Sequence, residues 1–297
     1  MSKQKVIITG GSGFVGRWLQ QELGEYDLTI WDYEQGIDIT DPATYEASLK
    51  ETQSDWLVHL AAVTTAGEAR QDPAKAGKTN TEAVEVLLQK IKELSPQTKV
   101  LAVSSADIYG SGSLSPIPEL SLEEAHPANP YAQSKWDMEK LIEQKFNDFV
   151  IRVRPFPHIG PGQRQGFVTA DFASQIARIE KGSSPILKVG NLEAQRDFTD
   201  VRDVVRAYRL LLEKGKTGEV YHVASGKAVA IQDVLDQLLS LSTAKISVEQ
   251  DPTKMRPSDT PILVGDASKL KNLTGWEATI PLQQSLKDVL NYWREKA

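Results

Sequence analysis

Lys5-Val6-Ile7-Ile8-Thr9-Gly10-Gly11-Ser12-Gly13-Phe14-Val15-Gly16 is the stretch on which the reading of the fold turns. A short apolar run, Lys5–Thr9, reads as a strand buried on both faces. Glycines at 10, 13 and 16 then give a tight turn, and a helical pattern follows from about Gly13 to Leu23. Strand, glycine turn and helix in that order bring backbone N–H groups close to an anion, and the helix N-terminus favours negative charge. A glycine triplet alone is weak evidence. Here Asp32 ends the next strand, Asp27–Trp31, where a carboxylate accepts from a ribose 2′-hydroxyl. That arrangement suits NAD and repels the 2′-phosphate of NADP. The bland alternative is a glycine loop beside a surface aspartate.

Outward from this unit the chain keeps alternating. A helix around Thr44–Lys50 precedes a strand at Trp56–Leu60, and a long helix at Thr79–Leu94 precedes a strand at Lys99–Ser104. A helix at Tyr131–Phe146 then leads to a strand at Phe149–Val153. Strands alternating with helices imply right-handed βαβ units and a parallel sheet covered on both faces. After Arg154 the texture changes, with Pro155-Phe156-Pro157 and Gly160-Pro161-Gly162 breaking the pattern. Helical periodicity returns at Val168–Glu180, Arg202–Leu212, Ile231–Leu241 and Leu282–Glu295. The expected fold is α/β, a Rossmann-type doubly wound sheet with a smaller C-terminal lobe. Residues 1–155 form the dinucleotide-binding domain and residues 156–297 mainly the substrate-binding lobe. Segments near 196–225 return to the sheet.

Composition narrows the function classes. The chain has 297 residues, 40% apolar and 25% charged, within the range of ordinary globular proteins. A formal charge of −6 argues against a nucleic-acid binder, which needs a basic face. No apolar run is long enough for a membrane span, and the N-terminus runs into a strand rather than a signal peptide, so a cytoplasmic location is expected. The absence of cysteine excludes disulfides, thiolate nucleophiles and cysteine metal sites. Four histidines (59, 126, 158, 222) are scattered without ligand spacing, so no metal is expected.

Pro130-Tyr131-Ala132-Gln133-Ser134-Lys135 places a phenol and an ammonium four residues apart, on one face of a helix. A neighbouring ammonium favours the phenolate, so such a pair is suited to moving a proton to or from an oxygen at neutral pH. An exposed tyrosine beside a solvated lysine has the same spacing.

Taken with the G-x-x-G-x-x-G turn and Ser104-Ser105-Ala106-Asp107-Ile108-Tyr109-Gly110 after the fourth strand, this motif resembles the extended branch of the short-chain dehydrogenase/reductase family. The resemblance covers essentially the whole chain. It implies that Ser105 bonds the reacting sugar oxygen and that Tyr131 is the acid/base. Lys135 would hold the nicotinamide ribose and lower the tyrosine pKa. It implies cofactor contacts at Gly10, Ser12, Gly13, Phe14, Val15, Gly16, Asp32, Ser104, Phe156 and His158. Asp38 and Ile39 would border the adenine, and Leu60, Ala61 and Ala62 would line the cofactor. Asn80 would support the active-site backbone. Singly, Ser104 and Ser105 read equally well as turn residues, and Asn80 as a helix cap.

Extended members mostly act on nucleotide sugars. Two separated arginines suit a diphosphate, because guanidinium forks bind phosphate oxygens in a fixed geometry. Arg196 and Arg256 are the candidates, with Asp259 accepting from a ribose and Asp107, Val168, Lys188 and Asn191 as further substrate contacts. Arg202, Arg206 and Arg209 recur at helical spacing and read as a solvated face. The runs Arg154–Gln163, Gly166–Val168, Asp171–Ala173 and Met255–Trp276 are similar to the GDP-sugar enzymes of the family. That likeness implies NADH- or NADPH-dependent reduction of the C4 ketone of GDP-4-keto-6-deoxy-D-mannose to GDP-D-rhamnose. Asp32 favours NADH. Pro157 departs from the Asn of many relatives and offers no donor, leaving that contact to another group such as His158. A dehydratase presents a Glu two residues past its Ser or Thr, where this chain has the shorter Asp107. A 4,6-dehydratase, a 4-epimerase, a reductase giving GDP-6-deoxy-talose and a non-enzymatic dinucleotide sensor stay open as alternatives. The family likeness also suggests a homodimer packed through the Thr79–Leu94 and Tyr131–Phe146 helices.

Overall fold

Strand β1, Lys5–Thr9, sends Val6 and Ile8 to one face of a sheet and Ile7 to the other, and all three are fully buried. The same alternation holds along β3 (Trp56–His59), β4 (Lys99–Val103) and β5 (Val150–Pro155), so apolar residues run continuously where both faces are covered. The computed structural model describes residues 3–110, 116–255 and 260–297. Arg256 and Asp259 lie outside the described residues.

With β2 (Asp27–Trp31) and a returning strand, β10 (Val220–Val223), these strands make a six-stranded parallel sheet ordered β10-β5-β4-β3-β1-β2. The chain moves outward from β1 to β2, then crosses back to β3 on the other side of β1. That reversal opens a crevice outside the carboxyl ends of β1 and β3. Helix α1 (Phe14–Glu22) covers one face. Helices α2 (Glu46–Thr52), α5 (Ala83–Leu94) and α6 (Pro130–Lys145) cover the other. The single helix expected over Thr79–Leu94 is instead short helices α3 (Ala66–Gln71) and α4 (Pro73–Gly77), a π-helical turn (Lys78–Glu82) and then α5. The turn carries the fully buried Asn80, whose amide bonds Val63 N, Val63 O and Ser134 Oγ at 2.8–3.0 Å.

Beyond β5 the chain leaves the sheet and returns to it. Strand β6 (His158–Ile159), helix α7 (Val168–Glu180), and strands β7 (Ile186–Val189), β8 (Gln195–Asp197) and β9 (Thr199–Asp200) come first. Helix α8 (Val201–Lys214) then packs beside α1, and β10 adds the sixth strand. Strand β11 (Ala228–Ala230), α9 (Ile231–Ser240), β12 (Ser247–Gln250), β13 (Ile262–Leu263), α10 (Ser268–Thr274) and α11 (Leu282–Lys296) complete the chain. Helices α7, α9 and α11 enclose a separate core around Phe172, Ile176, Leu235, Leu238 and Leu286. No helix among the described residues is long and apolar enough to cross a membrane.

The arginines of α8 do not form the solvated face expected of them. Arg202 pairs with Asp200 and Asp288, Arg206 with Asp203, and Arg209 with Glu22 and Glu213, all half-buried. Their helical spacing matches carboxylates on α1, α11 and the start of α8, which sequence periodicity alone does not display.

One ion pair is completely enclosed. Arg154 on β5 donates to both oxygens of Glu139 on α6 at 2.8–3.2 Å, and the two side chains are 1% and 0% exposed. Glu139→Gln leaves that guanidinium buried without its counter-charge. It should lower the unfolding free energy by about 3–5 kcal/mol in urea denaturation. Glu85→Gln, which removes the partner of Lys145 in an exposed pair, should cost less than about 1 kcal/mol.

Candidate active site

A cavity of about 1090 Å³ lies between the carboxyl end of the sheet and the C-terminal lobe. Its floor begins with the glycine turn. Gly10 has φ +69°, and a Cβ there would meet the backbone of Ala61 at 2.9 Å; a Cβ at Gly16 would meet the Gly11 and Gly10 carbonyl oxygens at 2.4–2.5 Å. Only glycine lets α1 start this close to β1 and β3. Gly13, the N-cap residue, has no side chain to cap the helix, and the first N–H groups of α1 have no partner within it. Gly10, Ser12, Gly13, Phe14, Val15 and Gly16 all line the cavity. An uncapped N-terminus facing a cavity of this size fits the pyrophosphate of a dinucleotide.

Asp32 lies behind this turn rather than in the cavity wall. Its carboxylate accepts from Ser12 N at 2.9 Å and from Tyr33 N at 2.7 Å, so it ties the end of β2 to the glycine loop. Asp38, Ile39, Ala61 and Asn80 also do not line the cavity. Asp38 accepts from Thr40 N and Oγ1 within its own turn, and Ile39 is buried in the sheet core. Leu60 and Ala62 do line it. Beneath them Thr9 Oγ1 accepts from Leu60 N and Ala61 N at 3.1 Å, so its own proton goes to His59 Nδ1 at 2.9 Å. Burial holds His59 neutral, lowering its pKa to about 3, with the Lys135 charge adding to the effect.

The catalytic candidates converge on the same cavity. Asn129 caps α6, its side chain accepting from Ala132 N at 3.0 Å, and Pro130 opens the helix. This start sets Tyr131 in the first turn and Lys135 one turn on, both lining the cavity. Ser105 caps the turn Ala106–Tyr109, its Oγ accepting from Asp107 N at 3.1 Å, and its side chain is close enough to Tyr131 to act on the phenol. Lys135 Nζ donates to Val103 O at 2.8 Å.

The electrostatics correct one expectation. Tyr131 is not pulled down by Lys135. Burial pushes its pKa up, the Asp107 carboxylate pushes the same way, and only the Ser105 side chain opposes them. A desolvated phenolate is penalised, and the ammonium that was expected to offset this is directed at a carbonyl. Lys135 is itself pushed down to about 8 by burial, partly offset by Glu139 one turn along α6.

The far wall comes from the lobe. Strand alternation turns Arg196 into the cavity. Its neighbour Asp197 is buried instead, accepting from Ser225 N, Gly226 N and Gly265 N. Arg196 and Asp107 interact across the site; burial raises Asp107 and lowers Arg196, and each opposes that effect on the other. Val168, Lys188, Asn191, Ser104, Phe156 and His158 also line the cavity. His158 is stacked on Phe14, and its Nδ1 lies 3.1 Å from the Phe156 carbonyl. Sequence reading missed Arg17, Arg164, Gln163, Tyr208 and Lys254 in the lining. Arg17 directly follows the glycine turn and Gln163 ends the Arg154–Gln163 run, whereas Arg164, Tyr208 and Lys254 lie outside the motifs read from the sequence.

A model of the GDP-mannose 4,6-dehydratase family matches residues 32–289. This chain belongs to that family. It is similar to GDP-6-deoxy-D-mannose reductase of Pseudomonas aeruginosa, at 36% identity over 99% of this chain and 98% of the relative. GDP-6-deoxy-D-talose 4-dehydrogenase of Aggregatibacter actinomycetemcomitans is 31% identical over 91% of each chain. Among solved structures, RMD from P. aeruginosa complexed with NADPH superposes with a TM-score of 0.89 at 35% identity. That match covers 99% of this chain and 100% of the other. The family is the nucleotide-sugar branch of extended short-chain dehydrogenase/reductases, in agreement with the glycine, serine and tyrosine–lysine motifs.

The lowered pKa of Lys135 carries a pH signature. Its folded value, about 8, lies below the unfolded value of about 10.4, so between them the unfolded chain binds the extra proton. Burying the ammonium therefore costs stability below pH 8, and that cost fades as pH rises from about 8 towards 10.4. The stability of Lys135→Met relative to wild type should be highest at pH 7. It should fall by up to roughly 3 kcal/mol by pH 10 in denaturant titrations.

Proposed function

We propose that this enzyme reduces the C4 ketone of GDP-4-keto-6-deoxy-D-mannose to GDP-D-rhamnose. The observation that carries the reading is the convergence of Ser105, Tyr131 and Lys135 on a cavity that also holds an uncapped helix N-terminus and Arg196. The likeness to GDP-6-deoxy-D-mannose reductase along nearly the whole chain supports the choice of sugar nucleotide.

Each residue has a role in that chemistry. The first N–H groups of α1 hold the pyrophosphate of the dinucleotide, and Lys135 donates to its ribose. A reduced nicotinamide bound there supplies the hydride. Tyr131, kept protonated through neutral pH by burial, donates its proton to the carbonyl oxygen as negative charge builds on it. Ser105 donates to the same oxygen, an interaction strongest in the transition state. Arg196 and Lys188 bind the diphosphate of the substrate. Asp107 faces Arg196 and carries a raised pKa, which suits holding a sugar hydroxyl. Asp32 at the end of β2 supports NADH as the preferred donor, against the repulsion a 2′-phosphate would meet.

Offered GDP-4-keto-6-deoxy-D-mannose, the protein should oxidise NADH stoichiometrically, with a higher kcat/KM than NADPH. The readout is loss of reduced-nicotinamide absorbance. No oxidation of either donor sinks the reading. Tyr131→Phe should lower kcat by roughly 10²–10⁴-fold. The talose-forming relative supports a second reading, hydride delivery to the opposite face, and NMR of the product separates the two. We also propose a homodimer through α5 and α6, where Val86 is left 38% exposed. Sedimentation equilibrium should give twice the chain mass, and a monomer at micromolar concentration would refute it.

A further inference from the structure

Tyr208 has no place in the reading above. It is 0% exposed, and its ring packs in the sheet core with Val6, Ile8 and Leu101, yet it also lines the cavity. Its hydroxyl is buried and has no hydrogen-bond partner among the described residues. A buried hydroxyl left unpaired is destabilising, and buried polar groups in folded proteins nearly always find a partner. Phenylalanine would fill the same space without that cost, so the hydroxyl calls for a partner supplied from the cavity.

Three observations locate that partner. Helix α8 packs against β4 and α1, so Tyr208 approaches the cavity from the sheet side, opposite the lobe that carries Arg196 and Lys188. Ser104 Oγ, at the end of β4, also lines the cavity and is likewise buried and unpartnered. Tyr131 lies within electrostatic reach of Tyr208, which places the second phenol near the reacting end of the cavity.

We propose that the Tyr208 hydroxyl, together with Ser104 Oγ, hydrogen-bonds the carboxamide of the cofactor's nicotinamide and so orients the ring for hydride transfer. A carboxamide presents one acceptor and two donors, and two hydroxyls that each donate and accept match that set. Tyr208 is then a cofactor-positioning residue. The assignment rests on the reading that the cavity takes a nicotinamide dinucleotide.

Calorimetric titration of wild type and Tyr208→Phe with NADH and with ADP-ribose, which lacks the nicotinamide, tests it. Losing one net hydrogen bond should weaken NADH binding by roughly 3- to 10-fold and leave ADP-ribose binding unchanged. The melting temperature of the ligand-free variant should be equal or higher, because an unpaired buried hydroxyl has gone. Wild type should also prefer NAD to its 3-acetylpyridine analogue, and that preference should shrink in Tyr208→Phe. Unchanged NADH affinity, or equal weakening of NADH and ADP-ribose, overturns the assignment while leaving the cofactor reading in place. Wild type that binds neither NADH nor ADP-ribose overturns both.

Discussion

The buried ion pair between Arg154 on β5 and Glu139 on α6 is the constraint on which the catalytic geometry depends. Arg154 also donates to Tyr109 OH at 2.6 Å and to Leu120 O at 2.7 Å. Tyr109 OH lies 2.5 Å from His222 Nε2, and His222 Nδ1 lies 3.1 Å from Asp266 O. Burial holds His222 neutral, lowering its pKa to about 3, and the carbonyl of Asp266 takes its Nδ1 proton. The Tyr109 hydroxyl therefore accepts from Arg154 and donates to Nε2. One chain of bonds thus fixes α6, the turn after β4 and strand β10 to each other. Tyr131 and Lys135 ride on the first of these, and Ser105 and Asp107 on the second.

Glu139 connects this scaffold to the chemistry. It sits four residues after Lys135 on the same helix, and its carboxylate favours that ammonium, partly offsetting burial. Burial gives each charge a large effect and a large penalty. Lysine is therefore pushed down and tyrosine up, which leaves a protonated phenol at neutral pH. The protonated state is the one a ketone reduction requires from its proton donor.

The lobe brings Arg196, Lys188 and Asn191 to the cavity wall. Its helices α7, α9 and α11 form their own core, and β8 presents Arg196 while Asp197 fastens the strand to the loops at 225–226 and 265. Because α8, β10 and α10 belong with the sheet, the lobe is anchored by repeated chain crossings instead of one linker. Trp18 Nε1 to Pro161 O and the stacking of Phe14 on His158 add direct contacts between the glycine-loop helix and the lobe side of the cavity.

The sequence by itself determined the strand–turn–helix unit, the parallel sheet and the placing of Tyr131 and Lys135 on one face of a helix; Ser105 joined them only through the family resemblance. Those signals are local: apolar runs, glycines whose missing Cβ is required, and two side chains one helical turn apart. The helix at Tyr131–Phe146 agrees with α6 because its cap, its proline and its periodicity lie in one continuous segment. Tertiary structure alone decided the direction of the Tyr131 shift, the pairing of Arg202, Arg206 and Arg209, and the entry of Tyr208 into the cavity. It also decided the π-helical turn around Asn80. Each depends on burial or on partners many residues away. Spacing tells which side chains share a face, but not what faces them, and desolvation and pairing are properties of what faces them.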